Sequence, residues 1–220
     1  MHRPKPETGQ IYHVFNRGVD KRSIFLEEED YLRFIRSLCD FNDTIPTEVR
    51  LPENTAKKRE HLVQILAFCL MPNHFHLMLQ QDTEQGVTEF MRKLGTGYTN
   101  YFNKKYNRSG ALFQGKYKVV HIAEEAHFLY LPFYIHVNPL DLKYAEWRDG
   151  KIHDEEEMLG FLESYRWSSY LDYIEKPNFP MATQRNFLKK ILGNTADQKK
   201  EMLSWIKERG PENIENLTLE

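Results

Sequence analysis

The chain has 220 residues, 40% hydrophobic and 28% charged, with a formal net charge of −2. That size suits one generous domain, or one domain with an extension, of ordinary globular composition. No apolar run approaches the roughly 20 residues that a bilayer-spanning helix needs, which argues against membrane insertion. Cys39 and Cys69 are the only cysteines and lack CxxC spacing, so a disulfide framework is excluded. The start, Met1-His2-Arg3-Pro4-Lys5-Pro6, lacks the apolar h-region of a secretory signal, and a reducing cytoplasmic setting is expected.

Residues 10–18 alternate in polarity and end on Gly18, which predicts a strand. Glu27 to Asp30 place acidic charge where a helix N-terminus favours it, and Tyr31, Phe34, Ile35, Leu38 and Phe41 follow at helical spacing over 27–42. Residues 43–61, with Pro46 and Pro52, read as a long exposed insertion. Residues 62–71 and 73–80 read as two strands joined tightly near Pro72-Asn73. Val87, Phe90, Met91, Leu94, Tyr98, Tyr101 and Phe102 mark an amphipathic helix over 84–107, weakened by Gly95 and Gly97 at about 1 kcal/mol each. Residues 111–122 supply a loop and a strand. Residues 124–138 read as a helix that Pro132 should kink or restart. The order β-α-β-β-α-β plus a further helix predicts an α+β, ferredoxin-like βαββαβ sandwich with antiparallel pairing. Beyond it, Asp149 to Met158 is polar and acidic, and helical patterns recur near 183–192 and 195–209. Trp147, Trp167 and Trp205 read as packing anchors, and Trp167-Ser168-Ser169 as the start of a helix capped by a serine hydroxyl.

Charge is distributed unevenly. Between Phe90 and Ala123 lie Arg92, Lys93, Lys104, Lys105, Arg108, Lys116 and Lys118, with no Asp or Glu among them. A cationic stretch in an otherwise acidic chain predicts a polyanion-binding surface. Aromatics interleave with these charges. The helix should bury several of them, which leaves Tyr106, Phe113 and Tyr117 as stacking candidates for a single strand of nucleic acid. Arg17, with Asn16 and Arg22 near the end of the first strand, is expected to reach phosphate.

His74 and His76 sit on the third strand, so both imidazoles should share one face and Phe75 should point into the core. Two neutral imidazoles on one face can chelate an ion. Tyr134 and Asn138 are four apart and share a helix face. With an amide oxygen from Asn138, the histidines would make a mixed three-ligand site for a divalent cation, leaving positions for phosphate oxygen and water. His13 and His121 are expected to pack or meet solvent. His136 should face away from Tyr134, and His127 could approach the site.

Four stretches, together with Tyr165-Arg166-Trp167-Ser168-Ser169-Tyr170, carry a family likeness over roughly 10–170. They are Tyr12 to Asp20, Met71-Pro72-Asn73-His74-Phe75-His76-Leu77, Gly110 to Tyr117, and Tyr134 to Pro139. In combination they resemble the HUH endonucleases, above all the REP-associated tyrosine transposases and related single-tyrosine insertion-sequence transposases. The resemblance implies a catalytic domain over 1–139 and a helical extension over 140–220. It implies Mg²⁺ or Mn²⁺ held by His74, His76 and Asn138, with Tyr134 as nucleophile. It also implies single-stranded or hairpin DNA as partner, a monomer or homodimer, and cleavage that joins the 5′ end of the cut to tyrosine. A phenol ordinarily titrates near 10, so a cation that polarises the scissile phosphate suits this chemistry. A phosphotyrosine conserves the bond for religation, which matches the absence of a P-loop. Rival phenols are Tyr130, Tyr98, Tyr101 and Tyr106. Rival functions are a hairpin-DNA-binding regulator with little or no turnover and an ordinary metallohydrolase.

Overall fold

The structure is a computed structural model that describes residues 5–44, 60–144, 146–149, 151 and 154–207. The insertion expected at 43–61 lies almost wholly outside these residues, as does the end of the 195–209 pattern. The chain runs β1 (Ile11–Arg17), α1 (Glu28–Asp40), β2 (Val63–Met71), β3 (His74–Gln81), α2 (Gly86–Lys105), β4 (Lys118–His121) and α3 (Glu125–Val137). The sheet order is β2-β3-β1-β4 and every pairing is antiparallel. This is the ferredoxin-like βαββαβ arrangement anticipated from the pattern of elements.

Strand alternation divides the interior in two. Tyr12 and Val14 of β1, with Phe75, Leu77 and Leu79 of β3, face α1 and α2 in one apolar cluster. Ala67, Cys69 and Met71 of β2 and Met78 of β3 face the other way, into a cluster built with α3 and the C-terminal helices. Phe75 packs against Phe34 and Phe113, with ring centroids 5.1 and 5.8 Å away. His74 and His76 therefore share the α3 side, because neighbouring side chains on a strand point to opposite faces.

The remaining chain is a short 3-10 turn (Asn138–Leu142), then α4 (Glu155–Ser164), α5 (Tyr170–Tyr173), α6 (Asn186–Leu192) and α7 (Thr195–Lys207). Met158, Leu162, Leu188, Met202 and Trp205 join the α3-side cluster, so the extension shares a core with the sheet. It also covers the outer edge of β2, where unpaired backbone groups would otherwise invite foreign strands. Leu70 N donates to Trp167 O, Ser169 N to Phe68 O and Gln184 N to Ile65 O, at 2.9, 3.0 and 2.9 Å. Ser168 Oγ accepts from Tyr170 N at 3.1 Å at the start of α5, whereas Ser169 does not cap it. Its hydroxyl instead accepts from Phe68 N at 2.9 Å and meets His136 Nε2 at 2.8 Å.

Two expectations about helices change. α3 runs through Pro132 as one element and does not restart there. The acidic stretch near 149–158 contains a helix start: Asp154 Oδ1 accepts from the amides of Glu156 and Glu157 at 2.9 and 3.1 Å, capping α4.

Candidate active site

The histidines are positioned by a tight corner. Pro72-Asn73 alone joins β2 to β3, with Met71 opposite His74. Gly18 N donates to Asn73 O at 2.8 Å, and Ile24 N to Pro72 O at 2.8 Å. A Cβ at Gly18 would lie 2.1 Å from the Arg22 carbonyl oxygen, so only glycine lets the end of β1 close on this corner. Arg17 then sits opposite His74, and Phe15 opposite His76.

The two imidazoles are perpendicular, with centroids 5.0 Å apart. His74 Nδ1 donates to Asn73 Oδ1 at 2.6 Å, which leaves Nε2 with its lone pair. His76 Nδ1 meets His13 Nε2 at 2.9 Å. Burial, aided by the charges of Arg17 and Arg148 against the opposing pull of Asp141 and Asn138, brings the His74 value down to about 4. Burial, then the neighbouring His74, His13 and Arg148, holds His76 well below the usual range. Both rings are thus kept neutral near pH 7, the form in which imidazole binds a metal.

Tyr134 comes from the buried side of α3 and is only 5% exposed. Its ring lies 5.7 Å from that of His76 and 5.8 Å from that of His13, nearly perpendicular to both. Asn138 Nδ2 donates to Tyr134 O at 2.7 Å, and the Asn138 side chain stands beside the His74 imidazole. His74, His76, Tyr134 and Asn138, distant in sequence, are thereby brought together. The other phenols lie elsewhere. Tyr98 bonds the Ile24 carbonyl, Tyr101 and Tyr106 bond Asp30, and Tyr130 is exposed beside Leu129 and Ile191. His136 turns to Ser169, and His127 lies 3.8 Å from the Glu124 carboxylate rather than at the site.

Three further residues belong here. His13, read from sequence as a packing residue, bonds His76. Arg148 holds its guanidinium 6.0 Å from the Tyr134 ring centre. Asp141 clasps that guanidinium, accepting from Nε at 2.9 Å and Nη2 at 3.0 Å, and accepts from Trp147 Nε1 at 2.7 Å. No local motif marks Asp141 or Arg148, because both stand past the last sequence stretch that carried chemistry.

Among the described residues no group of three or more His, Cys, Asp or Glu gathers to hold a metal. The donor set that fits a divalent cation is instead mixed: two imidazoles, each engaged with a neighbour through Nδ1, and the Asn138 amide.

The basic stretch separates into parts. Arg92, Lys104, Lys116 and Lys118 are exposed. Arg92, Lys116 and Tyr117 line a groove of about 580 Å³ with Asn16, Thr96 and Asn100, on the α2 side of the sheet. Arg17 Nε donates to Gln114 Oε1 at 2.6 Å, linking β1 to the loop that carries Lys116. Arg108 lies over the Phe102 ring at 5.5 Å. Lys93 pairs with Glu89 and bonds the Asp43 carbonyl, while Lys105 pairs with Glu27, Glu29 and Asp30, so both spend their charge inside the molecule. Two expected stacking residues are also committed to the fold: Phe113 is buried in the core and Tyr106 bonds Asp30.

Over residues 11–138, more than half its length, the chain matches the family described as Transposase IS200 like, and it belongs to that family. At a coarse level this places it among enzymes that cut and rejoin DNA. Among solved structures it is similar to a REP-associated tyrosine transposase bound to a REP hairpin. The TM-score is 0.52 at 11% identity, covering 83% of this chain and 89% of that one, a likeness of fold. No curated protein matches the chain. None of the helices among the described residues is long and apolar enough to cross a membrane.

Proposed function

We propose that this chain is a metal-dependent single-stranded DNA endonuclease and strand transferase, acting beside a DNA hairpin through a 5′-phosphotyrosine. One observation carries the reading: Tyr134 packs on His76 while Asn138, one turn later, stands beside His74. The hairpin is inferred from the DNA bound to the structural neighbour.

His74, His76 and Asn138 would hold Mg²⁺ or Mn²⁺, which would supply Lewis-acid polarisation of the scissile phosphate. Tyr134 Oη forms the bond to phosphorus as the P–O3′ bond breaks. The phenolic proton passes to solvent, and the departing 3′ oxygen takes one up. Arg148, oriented by Asp141, sets positive charge beside the tyrosine where charge develops. Arg17, Arg92, Arg108, Lys104, Lys116 and Lys118 receive backbone phosphates, and Tyr117 offers a stacking surface. Lys93 and Lys105 are left out, because carboxylates of the chain already neutralise them.

The test is incubation of labelled hairpin-flanking single strands with Mn²⁺, followed by a denaturing gel. A protease-sensitive, slow-migrating band is expected from the native chain and none from Tyr134→Phe. A Tyr134→Phe protein that still forms the adduct overturns the assignment. The 5% exposure of Tyr134 favours a second reading, a hairpin-binding regulator with little turnover. Tight hairpin binding with no nicking under Mg²⁺ or Mn²⁺ would select it. Release of a free 5′-phosphate without protein-linked DNA would point to an ordinary metallohydrolase.

A further inference from the structure

His13 is fully buried, although its imidazole is polar. It stands on β1 in register with Met78, two pairs along the ladder from the Phe15–His76 pair, on the α3 side of the sheet. Its ring meets His76 edge to edge, with centroids 5.1 Å apart and planes 19° from parallel. Its Nε2 lies 2.9 Å from His76 Nδ1. The same ring meets Tyr134 edge-on at 5.8 Å. One side chain therefore touches both the proposed metal-binding imidazole and the proposed nucleophile.

A hydrogen bond between two neutral imidazole nitrogens needs one proton between them. If His76 Nδ1 carries it, His13 Nε2 must be the acceptor, and His13 then carries its own proton on Nδ1. Only this arrangement leaves His76 Nε2 with a lone pair. The reverse arrangement would put a hydrogen on His76 Nε2 and close that edge to a cation. His74 is already set the same way by an acceptor, Asn73 Oδ1. Partners of this kind, which lock the tautomer and orientation of a ligating imidazole, typically affect metal affinity by about 10–100-fold.

We propose that His13 is a positioning residue: by accepting from His76 Nδ1 it holds His76 in the tautomer that presents Nε2 to a divalent cation, while its ring fixes the seat of Tyr134. This rests on the reading of His74 and His76 as metal ligands, and the test separates the two claims. Mn²⁺ affinity is measured by titration calorimetry on the native chain and on His74→Ala, His13→Phe and His13→Gln. His13→Phe keeps a ring but no acceptor, and about 10–100-fold weaker Mn²⁺ binding is expected. His13→Gln can place an amide oxygen near the position of Nε2, and affinity within about threefold of native is expected, the rescue that packing alone would not give. His13→Phe that binds as the native chain does, or His13→Gln as weak as His13→Phe, overturns the role of His13 and leaves the ligand assignment standing. A native chain that binds Mn²⁺ no better than His74→Ala overturns both. Should His13→Phe fail to fold, long-range ¹H–¹⁵N correlations on histidine-labelled native protein decide. Protons on Nδ1 of both His13 and His76 are expected, and a proton on His76 Nε2 refutes the proposal.

Discussion

At the residue scale, Asp30 shows how part of the basic stretch is drawn inward. Its carboxylate is inaccessible to solvent, and burial alone would raise its titration point. The Leu26 amide, the Tyr106 and Tyr101 hydroxyls and the Lys105 ammonium together outweigh burial and hold it below the usual range. It also receives the Glu27 amide in the capping box of α1. Asp30→Ala removes the shared acceptor and should cost about 3 kcal/mol, the order seen when one partner of a buried pair is deleted. Urea unfolding measures this, and a loss near zero would mean that the surrounding donors find water equally well. Lys105 illustrates a limit of reading charge from sequence. Glu27, Glu29 and Asp30, which neutralise it, lie some 75 positions away along the chain. The same limit hid His13. Its bond to His76 depends on which strands are neighbours and in which register.

At the element scale, α2 offers a controlled comparison. Both Gly95 and Gly97 weaken the helix, yet their surroundings differ. A Cβ on Gly95 would meet nothing within 4 Å, whereas one on Gly97 would come within 2.5 Å of the Phe41 ring. Gly95→Ala is expected to stabilise by about 0.5–1 kcal/mol through backbone entropy and helix propensity. Gly97→Ala should lose that gain and more as Phe41 is displaced, so thermal melts should rank Gly95→Ala above native and Gly97→Ala below. Equal shifts for the two variants would contradict the α1–α2 packing. The amphipathic periods of α1 and α2 and the alternation of β1 were legible because each records a local repeat against one core. α4 was not, because its clearest signal is the Asp154 cap inside an acidic run that reads equally well as solvated loop. The extent of α3 was legible, but not that it runs through Pro132 as one element, since burial on all sides there overrides the local cost of proline.

For the whole molecule, acid should act through groups that the fold keeps in one charge state. Burial lowers His136 to about 3, and Ser169 shares a hydrogen bond with it between α3 and β2. An unfolded histidine titrates near 6.5, so below that pH the unfolded chain takes up protons that the folded one refuses. Stability is therefore full above about 6.5 and falls as pH drops toward 3, by roughly 2 kcal/mol between pH 7 and 5 from this residue alone. Asp30 works in a lower window. Its contribution is present above about 4, the unfolded value, and is lost as pH falls through its depressed folded value. Urea midpoints of metal-free protein at pH 7, 5 and 3.5 should decline in both intervals. A flat midpoint from pH 7 to 5 would show that His136 can protonate without cost. The antiparallel pairing of the sheet was legible from the sequence of elements, whereas the meeting of Tyr134 with the histidine pair was expected only through the family resemblance. The position of Asp141 and Arg148 beside Tyr134 was not legible, because the 3-10 turn that carries Asp141 has no counterpart in local periodicity.

The two-residue corner at Pro72-Asn73 carries a consequence for how this chain can change. Parity along β3 decides which side chains look toward α3, and the corner leaves no slack to absorb an extra residue. Inserting one amino acid between Asn73 and His74 would swap the occupants of the two faces, turning Phe75 toward Tyr134 and sending both imidazoles into the aromatic interior beneath α1. Substitutions can accumulate around such a corner, but an added residue keeps both imidazoles beside Tyr134 only where a bulge absorbs it, as the ladder does between Ile65 and Ala67.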